Sequence, residues 1–395
     1  MSLDRIFTKE FNTNNYLICE YYLESETDLA SAAYDIAIGQ SIGNPEIRNE
    51  FESDKLIQNH CCLILHNRSE LSVIKKGHVK IAFPLINIDL DNDGISQLLC
   101  FIQGGHTDIN RIQICQVRDI TFPEQALNKM SKAKFGISGM RKFLDYDEKP
   151  FLGCILKPKT GLDINTYKKL IRDLIDEGAN FIKEDEILSS PHFLPLELRV
   201  KAFKEVVGNK KVIFAFCINS DPHKLKERLD IVERNGGNAV HINIWSGLGS
   251  YHAIKMLNPN LFVFYQKSGI ATISDSRNPY SISWPVLVKL GIYSGIDAIH
   301  VGMTGGYSND DENELALNIN ELQKHNVIPS LSCGFHPGLV DSVTAKFGND
   351  YIANVGGAIY GHPDGHIAGV RAMRQAIDKT YGSEYERAIE KWGKH

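Results

Sequence analysis

The stretch Gly178-Ala179-Asn180-Phe181-Ile182-Lys183 recurs in form as Gly236-Gly237-Asn238-Ala239-Val240-His241 and as Gly295-Ile296-Asp297-Ala298-Ile299-His300. Each copy reads as a helix-ending glycine, a turn Asn or Asp, and a short apolar strand closing on a cationic or ligating side chain. From Phe151 onward, short apolar runs alternate with amphipathic stretches, which predicts βα units and a parallel sheet. Strands are expected at 151–156, 181–183, 212–217, 239–243, 261–265, 298–301, 328–332 and 352–355. Helical periodicity falls between them at 164–177, 196–207, 222–235, 284–293, 312–325 and 339–347, with a short helix at 251–257. Eight such units close into a (β/α)8 TIM barrel, whose chemistry belongs at the C-terminal ends of the strands.

The part before the barrel reads differently. Tyr16–Leu23, Val79–Phe83 and Ile112–Val117 have strand character, and Asp28–Ile38 and Ile95–Phe101 have helix character. The expected organisation is therefore an α+β domain over 1–130, then a barrel with a C-terminal helical tail over 131–395. The balance of 43 Lys+Arg against 48 Asp+Glu, with no basic block, lacks the electrostatic footprint of a nucleic-acid binder. The longest apolar runs, such as Cys61–Leu65 and Val212–Ile218, fall far short of a bilayer span. Met1–Asn15 is polar where a signal peptide is apolar, so a cytoplasmic protein with no membrane partner is expected. The 8 cysteines form no CxxC pair and are expected as buried free thiols.

Polar residues gather where the barrel strands end. Lys157-Pro158-Lys159 follows the first strand, Lys183-Glu184-Asp185-Glu186 the second, Gln266-Lys267 the fifth and His300 the sixth. Ser332-Cys333-Gly334 follows the seventh and Gly356-Gly357 the eighth. Asp185 and Glu186 offer hard oxygen donors suited to Mg2+, which keeps positions open for substrate oxygens. Lys183 beside them is either an ion-pair partner or, after reaction with CO2, a carbamate that adds a third oxygen ligand. Gly334, Gly356 and Gly357 stand in loops seven and eight, where barrels often cradle a phosphate on backbone N–H groups. Lys267 and His300 can hold a second anionic group. Lys157 and Lys159 alternate along an extended chain, so they are expected to point to opposite sides, with at most one facing the reacting carbon. The set argues for a phosphorylated substrate, a divalent metal and lysine acid/base work, hence enolate chemistry.

These residues carry a resemblance. Gly153-Cys154-Ile155-Leu156-Lys157-Pro158-Lys159, Phe181–Glu186, Ile299-His300 with Gly302, Ser332 with Gly334 and His336, and Gly356-Gly357 with Gly361-His362-Pro363 closely resemble the large subunit of RuBisCO. The likeness runs in order through nearly the whole chain. It implies an N-terminal α+β (ferredoxin-like) domain that caps a partner's barrel, hence a homodimer. It also implies that Lys183 is the carbamylated lysine, Asp185 and Glu186 the other Mg2+ ligands, and Lys157, Lys159 and His300 catalytic residues. Gly334, Gly356 and Gly357 would hold one phosphate. Lys267, in place of an arginine, would line the distal end of the substrate with His300 and Ser332.

The departures from that family bear on the reaction. Carboxylation needs a lysine on a mobile loop after the sixth strand, and Val301–Asp310 contains none. The acidic residue that partners that lysine appears as Gly39, the following Thr-Trp as Asn44-Pro45, and the histidine before Lys267 as Gln266. The sequence is thus similar to the non-carboxylating RuBisCO-like proteins. Lys134–Lys142, His336-Pro337-Gly338 and Lys391-Trp392-Gly393-Lys394 look like the methionine-salvage enolase that acts on 2,3-diketo-5-methylthiopentyl-1-phosphate. That enzyme's base lysine falls at Gly104-Gly105 here, and it lacks the Lys-Pro-Lys. An enolate made by losing CO2 needs no such base. The expected function is therefore a lyase that decarboxylates a phosphorylated keto-acid of the 3-oxo-isoapionate-4-phosphate type, through an enolate held on Mg2+. Enolisation or sugar-phosphate 1,3-isomerisation is the alternative, and a non-catalytic sugar-phosphate-binding barrel the second.

Overall fold

The computed structural model describes residues 3–47, 49–146, 148–308 and 310–395. Met1 and Ser2 of the polar N-terminal stretch, and Asn309 of the loop after the sixth barrel strand, lie outside them. The chain divides into two compact units, 1–130 with 269–293, and 131–268 with 294–395. Strands are numbered in chain order: β1 Tyr16–Ser25, β2 Leu63–Ile64, β3 Lys76–Pro84, β4 Ile112–Thr121, β5 Phe151–Ile155, β6 Phe181–Lys183 and β7 Ile213–Cys217. They continue as β8 Ala239–Asn243, β9 Phe262–Gln266, β10 Tyr280–Ile282, β11 Ala298–Gly302, β12 Ile328–Leu331 and β13 Ile352–Val355. Among the described residues no helix is long and apolar enough to cross a membrane.

The first unit is a mixed sheet in the order β10-β4-β1-β3-β2. Strict alternation along β1 buries Leu17, Cys19, Tyr21 and Leu23 on one face, as expected for a strand with helices on one side only. Helix Leu29–Gly39 is capped by Asp28, whose carboxylate accepts from Ser31 N at 2.9 Å, and it buries Ile36 and Ile38. The segment 269–293, read from sequence as part of the barrel's run, groups with this unit because β10 pairs parallel with β4. Its helix Trp284–Tyr293 lies where periodicity put one.

The second unit is a closed parallel barrel, β5-β6-β7-β8-β9-β11-β12-β13. Each expected barrel strand forms, within one residue at either end. The three-fold repeat has a physical cause. Asn180 Oδ1 accepts from Leu152 N (2.9 Å), Asn238 Oδ1 from Phe214 N (3.0 Å) and Asp297 Oδ2 from Val263 N (2.9 Å). Each turn residue thus satisfies a backbone donor at or near the start of the neighbouring strand, which would otherwise be buried and unpaired. The glycine two residues earlier has φ of +80 to +90 in each case, a conformation that only glycine adopts cheaply. Asp297 also takes the Phe135 and Gly136 N–H groups, so it anchors helix Gly136–Leu144 at the same end.

Inward residues at the strand starts form the core. Phe151, Phe181, Phe262 and Phe264 pack with Ile213, Ile328 and Ile352, closed from below by Ile137, Met140 and Leu144 of that helix. Phe181 stacks on Phe264 at 5.4 Å between centroids. Burying one such ring is worth roughly 1.5–3 kcal/mol, so this layer fixes the barrel and leaves the other strand ends free for polar groups. Cysteines follow expectation in part: Cys19, Cys61, Cys62, Cys115, Cys154 and Cys217 are buried, but Cys100 is exposed and Cys333 half-buried. Cys100 sits on the outer side of a helix only partly covered, and Cys333 lies past a strand end, where the apolar context no longer dictates burial.

Candidate active site

The strand ends open into one cavity of about 440 Å3, a size suited to a small ligand. Its wall is formed by Lys157, Lys159, Asp185, Glu186, Gln266, Ser268, His300, Tyr307, Ser332, Gly334, Gly356 and Gly357, among others. Lys183 lies beneath the floor, 1% exposed. Lys267 is off the wall.

At one side, Lys157 Nζ stands 2.7 Å and Lys159 Nζ 3.8 Å from the same oxygen, Asp185 Oδ2. This corrects the expectation that the two lysines diverge. β5 ends at Ile155, so the two-residue alternation of a strand no longer governs them, and the carboxylate draws both ammoniums inward. Lys183 Nζ donates to Glu184 O (2.8 Å) and Glu186 Oε2 (3.2 Å). Glu186 also accepts from Ser268 Oγ (2.5 Å) and Gln266 Nε2 (2.7 Å). Burial would raise the Glu186 carboxyl, but the Lys183 charge and these donors hold it far below the usual carboxylate range.

Glu184 turns the opposite way, into full burial. Tyr167 OH donates to it at 2.6 Å, Cys217 N at 2.8 Å, and Arg199 Nε lies 3.1 Å away. Helices 164–176 and 196–207 thereby clamp the backbone between Lys183 and Asp185. Sequence reading passed over Glu184 as one more acid in the run.

These donors can be tested against Mg2+. Among the described residues no group of three His, Cys, Asp or Glu side chains is placed to hold a metal ion by itself. Asp185 and Glu186 alone are an incomplete anionic set, and each is neutralised by lysine. A carbamate on Lys183 would replace a buried cation by an anionic oxygen, and the resulting all-oxygen set suits a hard divalent ion. The residues fit the metal on that condition.

At the other side, Gln266 links two groups. Its Nε2 donates to Glu186, so its Oε1 accepts from His300 Nδ1–H at 3.0 Å. The other ring nitrogen of His300 is then the acceptor of the Ser332 hydroxyl, which contacts it directly. Burial first, then the charges of Lys267 and Lys183, push His300 down to about 3, so the ring is neutral at physiological pH. Gln266 and Ser268 had no role in the sequence reading, although Gln266 shares the inward register of Phe262 and Phe264.

Gly334, with φ +103, packs against Tyr307: a Cβ there would sit 2.7 Å from Tyr307 N. Tyr307 N donates to Cys333 O at 3.1 Å, so the loops after β11 and β12 are joined through backbone. Gly357 has nothing within 4 Å of its Cβ direction, and Gly356 has only Lys157 and Ile155 beyond 3.4 Å. Their backbone faces open cavity, as a phosphate cradle requires.

A closed barrel with lysines, carboxylates and glycine turns assembled at its strand ends belongs to the class of barrels that carry their chemistry in those loops. The chain belongs to the ribulose bisphosphate carboxylase large-chain family: residues 7–126 match its N-terminal domain and residues 136–395 its catalytic domain. It is 30% identical over 357 residues to the ribulose bisphosphate carboxylase of Thermococcus kodakarensis, 80% of each chain. It is 27% identical over 389 residues to the 2,3-diketo-5-methylthiopentyl-1-phosphate enolase of Bacillus cereus, 92% of each. In structure it is similar to the octameric RuBisCO of Pyrococcus horikoshii (TM-score 0.87, 23% identity, 97% of this chain and 95% of that one). A RuBisCO-like protein from Burkholderia fungorum is also similar (TM-score 0.82, 23% identity, 95% and 100%). Both structural likenesses speak to the fold. The family is one of enzymes, with carboxylase and enolase names among the relatives.

Proposed function

We propose that this chain is a Mg2+-dependent RuBisCO-like enzyme that forms an enolate of a phosphorylated keto-sugar or keto-acid, with loss of CO2 from a β-keto-acid as the preferred reaction. Mg2+, when bound at Asp185, Glu186 and carbamylated Lys183, supplies a Lewis acid for the developing enolate oxygen. Gly334, Gly356 and Gly357 would hold the phosphate. Lys157 or Lys159 would return a proton to the carbon that loses the carboxylate. His300 and Ser332 would orient substrate oxygens: the Ser332 hydroxyl donates its hydrogen bond to His300, which leaves the Oγ lone pairs to accept from a substrate hydroxyl. A homodimer and a cytoplasmic setting complete the reading.

The observation that carries it is the pairing of Lys157 and Lys159 on Asp185, with no lysine in the loop Val301–Asp310. The carboxylase names among the relatives would bring fixation of CO2 on ribulose bisphosphate. Against that stands Tyr307 on the cavity wall from a loop that carries no cation to meet a new carboxylate. Enolisation is the second reading, favoured by the enolase relative that spans 92% of the chain.

The deciding assay supplies bicarbonate and Mg2+ and follows CO2 release from phosphorylated β-keto-acids, alongside α-proton exchange in phosphorylated diketones and CO2 fixation on ribulose bisphosphate. Release of CO2 supports the proposal. Exchange without release moves the function to the enolase reading, and fixation overturns both.

A further inference from the structure

Positive charge at the far side of the cavity is held behind a carboxylate. Lys267 Nζ lies 3.3 Å from Val301 O and 3.5 Å from Asp310 Oδ1. The other Asp310 oxygen accepts from Met303 N (2.8 Å) and Ser308 Oγ (3.0 Å), which fixes the carboxylate at the end of β11. Gly302 leaves the space it needs, since a Cβ there would sit 2.7 Å from Asp310 Oδ2. The Lys267 side chain is only 14% exposed and does not reach the cavity wall.

Around His300 and Ser332, no cation lines the wall. Gln266 is an amide, His300 is a buried imidazole held between the Gln266 amide and the Ser332 hydroxyl, and Ser268, Ser332 and Tyr307 are hydroxyls. The nearest carboxylate, Glu186, is already satisfied by Lys183, Gln266 and Ser268. A second phosphate placed here would be desolvated without a cation of its own. To serve it, Lys267 would have to leave Asp310, which would keep only the Met303 N and Ser308 Oγ donors.

We propose that Asp310 sets the substrate class of this site: by neutralising Lys267 it makes the far end suited to a hydroxyl- or carbonyl-bearing group, so the cavity takes phosphate monoesters and discriminates against terminal bisphosphates. The inference rests on the reading that the cavity takes a phosphorylated substrate, and it names which kind. It also revises the expectation that Lys267 holds a second anionic group.

The test is calorimetric binding of two probes to the full chain, a pentitol monophosphate and the matching terminal bisphosphate. Wild type is expected to bind the monophosphate at least as tightly as the bisphosphate. In Asp310→Asn the amide oxygen can still accept from Met303 N, while Lys267 gains the freedom of its flexible stem. The ratio should then move toward the bisphosphate by about tenfold or more, the size of one charge-assisted pair. Adding Lys267→Met to Asp310→Asn should cancel the shift. A tenfold wild-type preference for the bisphosphate overturns the proposal, as does a shift that survives Lys267→Met or the absence of any shift in a folded Asp310→Asn.

If Asp310→Asn does not fold, Lys267→Met alone decides. An unchanged ratio supports the proposal, and a ratio turned against the bisphosphate overturns it. The ratio needs no turnover, so the decarboxylase reading can fail while this inference stands. Failure of both probes to bind removes the phosphorylated-substrate reading and the inference with it.

Discussion

Lys157 Nζ rests 2.7 Å from Asp185 Oδ2, an ammonium 30% exposed against a carboxylate 3% exposed. The residue proposed to deliver a proton is therefore the counter-ion of the residue proposed to hold the metal. A metal ion held by Asp185 would compete with Lys157 for the same oxygen, and Lys157 would then be free to turn toward substrate. Lys157→Met is expected to lower kcat by about a hundredfold or more, the usual worth of a positioned acid. It should also widen the gap in Tm between Mg2+-free and Mg2+-loaded protein, because Asp185 then depends more on the metal. Wild-type turnover in this variant would remove Lys157 from the mechanism.

Lys183→Ala is expected to abolish Mg2+-dependent activity, since no carbamate oxygen can complete the donor set. Wild-type protein incubated with CO2 and Mg2+ before assay should start faster than protein given either alone. Mass spectrometry after trapping the carbamate checks the same point without turnover. Equal rates in all three preparations would argue against carbamylation.

Arg199→Met leaves Glu184 buried beside Tyr167 and Cys217 N without its ion-pair partner. Stranding one member of a buried ion pair costs about 3–5 kcal/mol. Urea denaturation should show a loss of that order. Arg199→Met combined with Glu184→Gln should recover much of it, and no recovery would mean that Arg199 acts through packing alone.

Gly334→Ala combines a strained φ with a clash at Tyr307 N. Backbone strain of this kind costs about 1–3 kcal/mol. Gly348, with φ +76 and nothing within 4 Å, is the matched comparison. Both alanine variants should lower Tm. Only Gly334→Ala should weaken inorganic phosphate binding, measured by calorimetry, and equal phosphate affinity in the two would separate Gly334 from the cradle.

Asp35 in the first unit is 3% exposed, and Arg111 Nε lies 2.9 Å from its Oδ2. Burial raises its carboxyl more than Arg111 lowers it, from 3.8 to about 6. Between those pH values the folded protein keeps a proton that the unfolded chain has lost, so this group's contribution to stability falls as pH rises from about 4 to 6 and is level above. The change is on the order of 2–3 kcal/mol. Asp35→Asn should remove that slope from urea-denaturation free energies measured across the window. An unchanged slope would locate the titration elsewhere.

The barrel was legible because its strands are buried on both faces and bounded by Gly-Asn or Gly-Asp turns, so β6, β8 and β13 could be read to the residue. β2 and β10 were not, since these two short runs follow no such turn and are strands only through pairing with β3 and β4. In the site, residue types at strand ends were readable, but their directions were not. The convergence of Lys157 and Lys159 depends on a carboxylate from the next strand. The turning of Lys267 depends on Asp310, 43 residues away. Gln266 looked like a simple loss of histidine, and its use as a two-sided amide appears only when Glu186 and His300 stand on either side of it.

Asn180, Asn238 and Asp297 bind the barrel together at the strand starts, while every group proposed to touch substrate sits at the strand ends. Loops after β9, β11 and β12 can be rewritten, with a lysine gained or an aspartate lost, without disturbing any of the three. A lineage built on this chain can inherit a new reaction by editing its rim, because the joints that keep it a barrel are never asked to change.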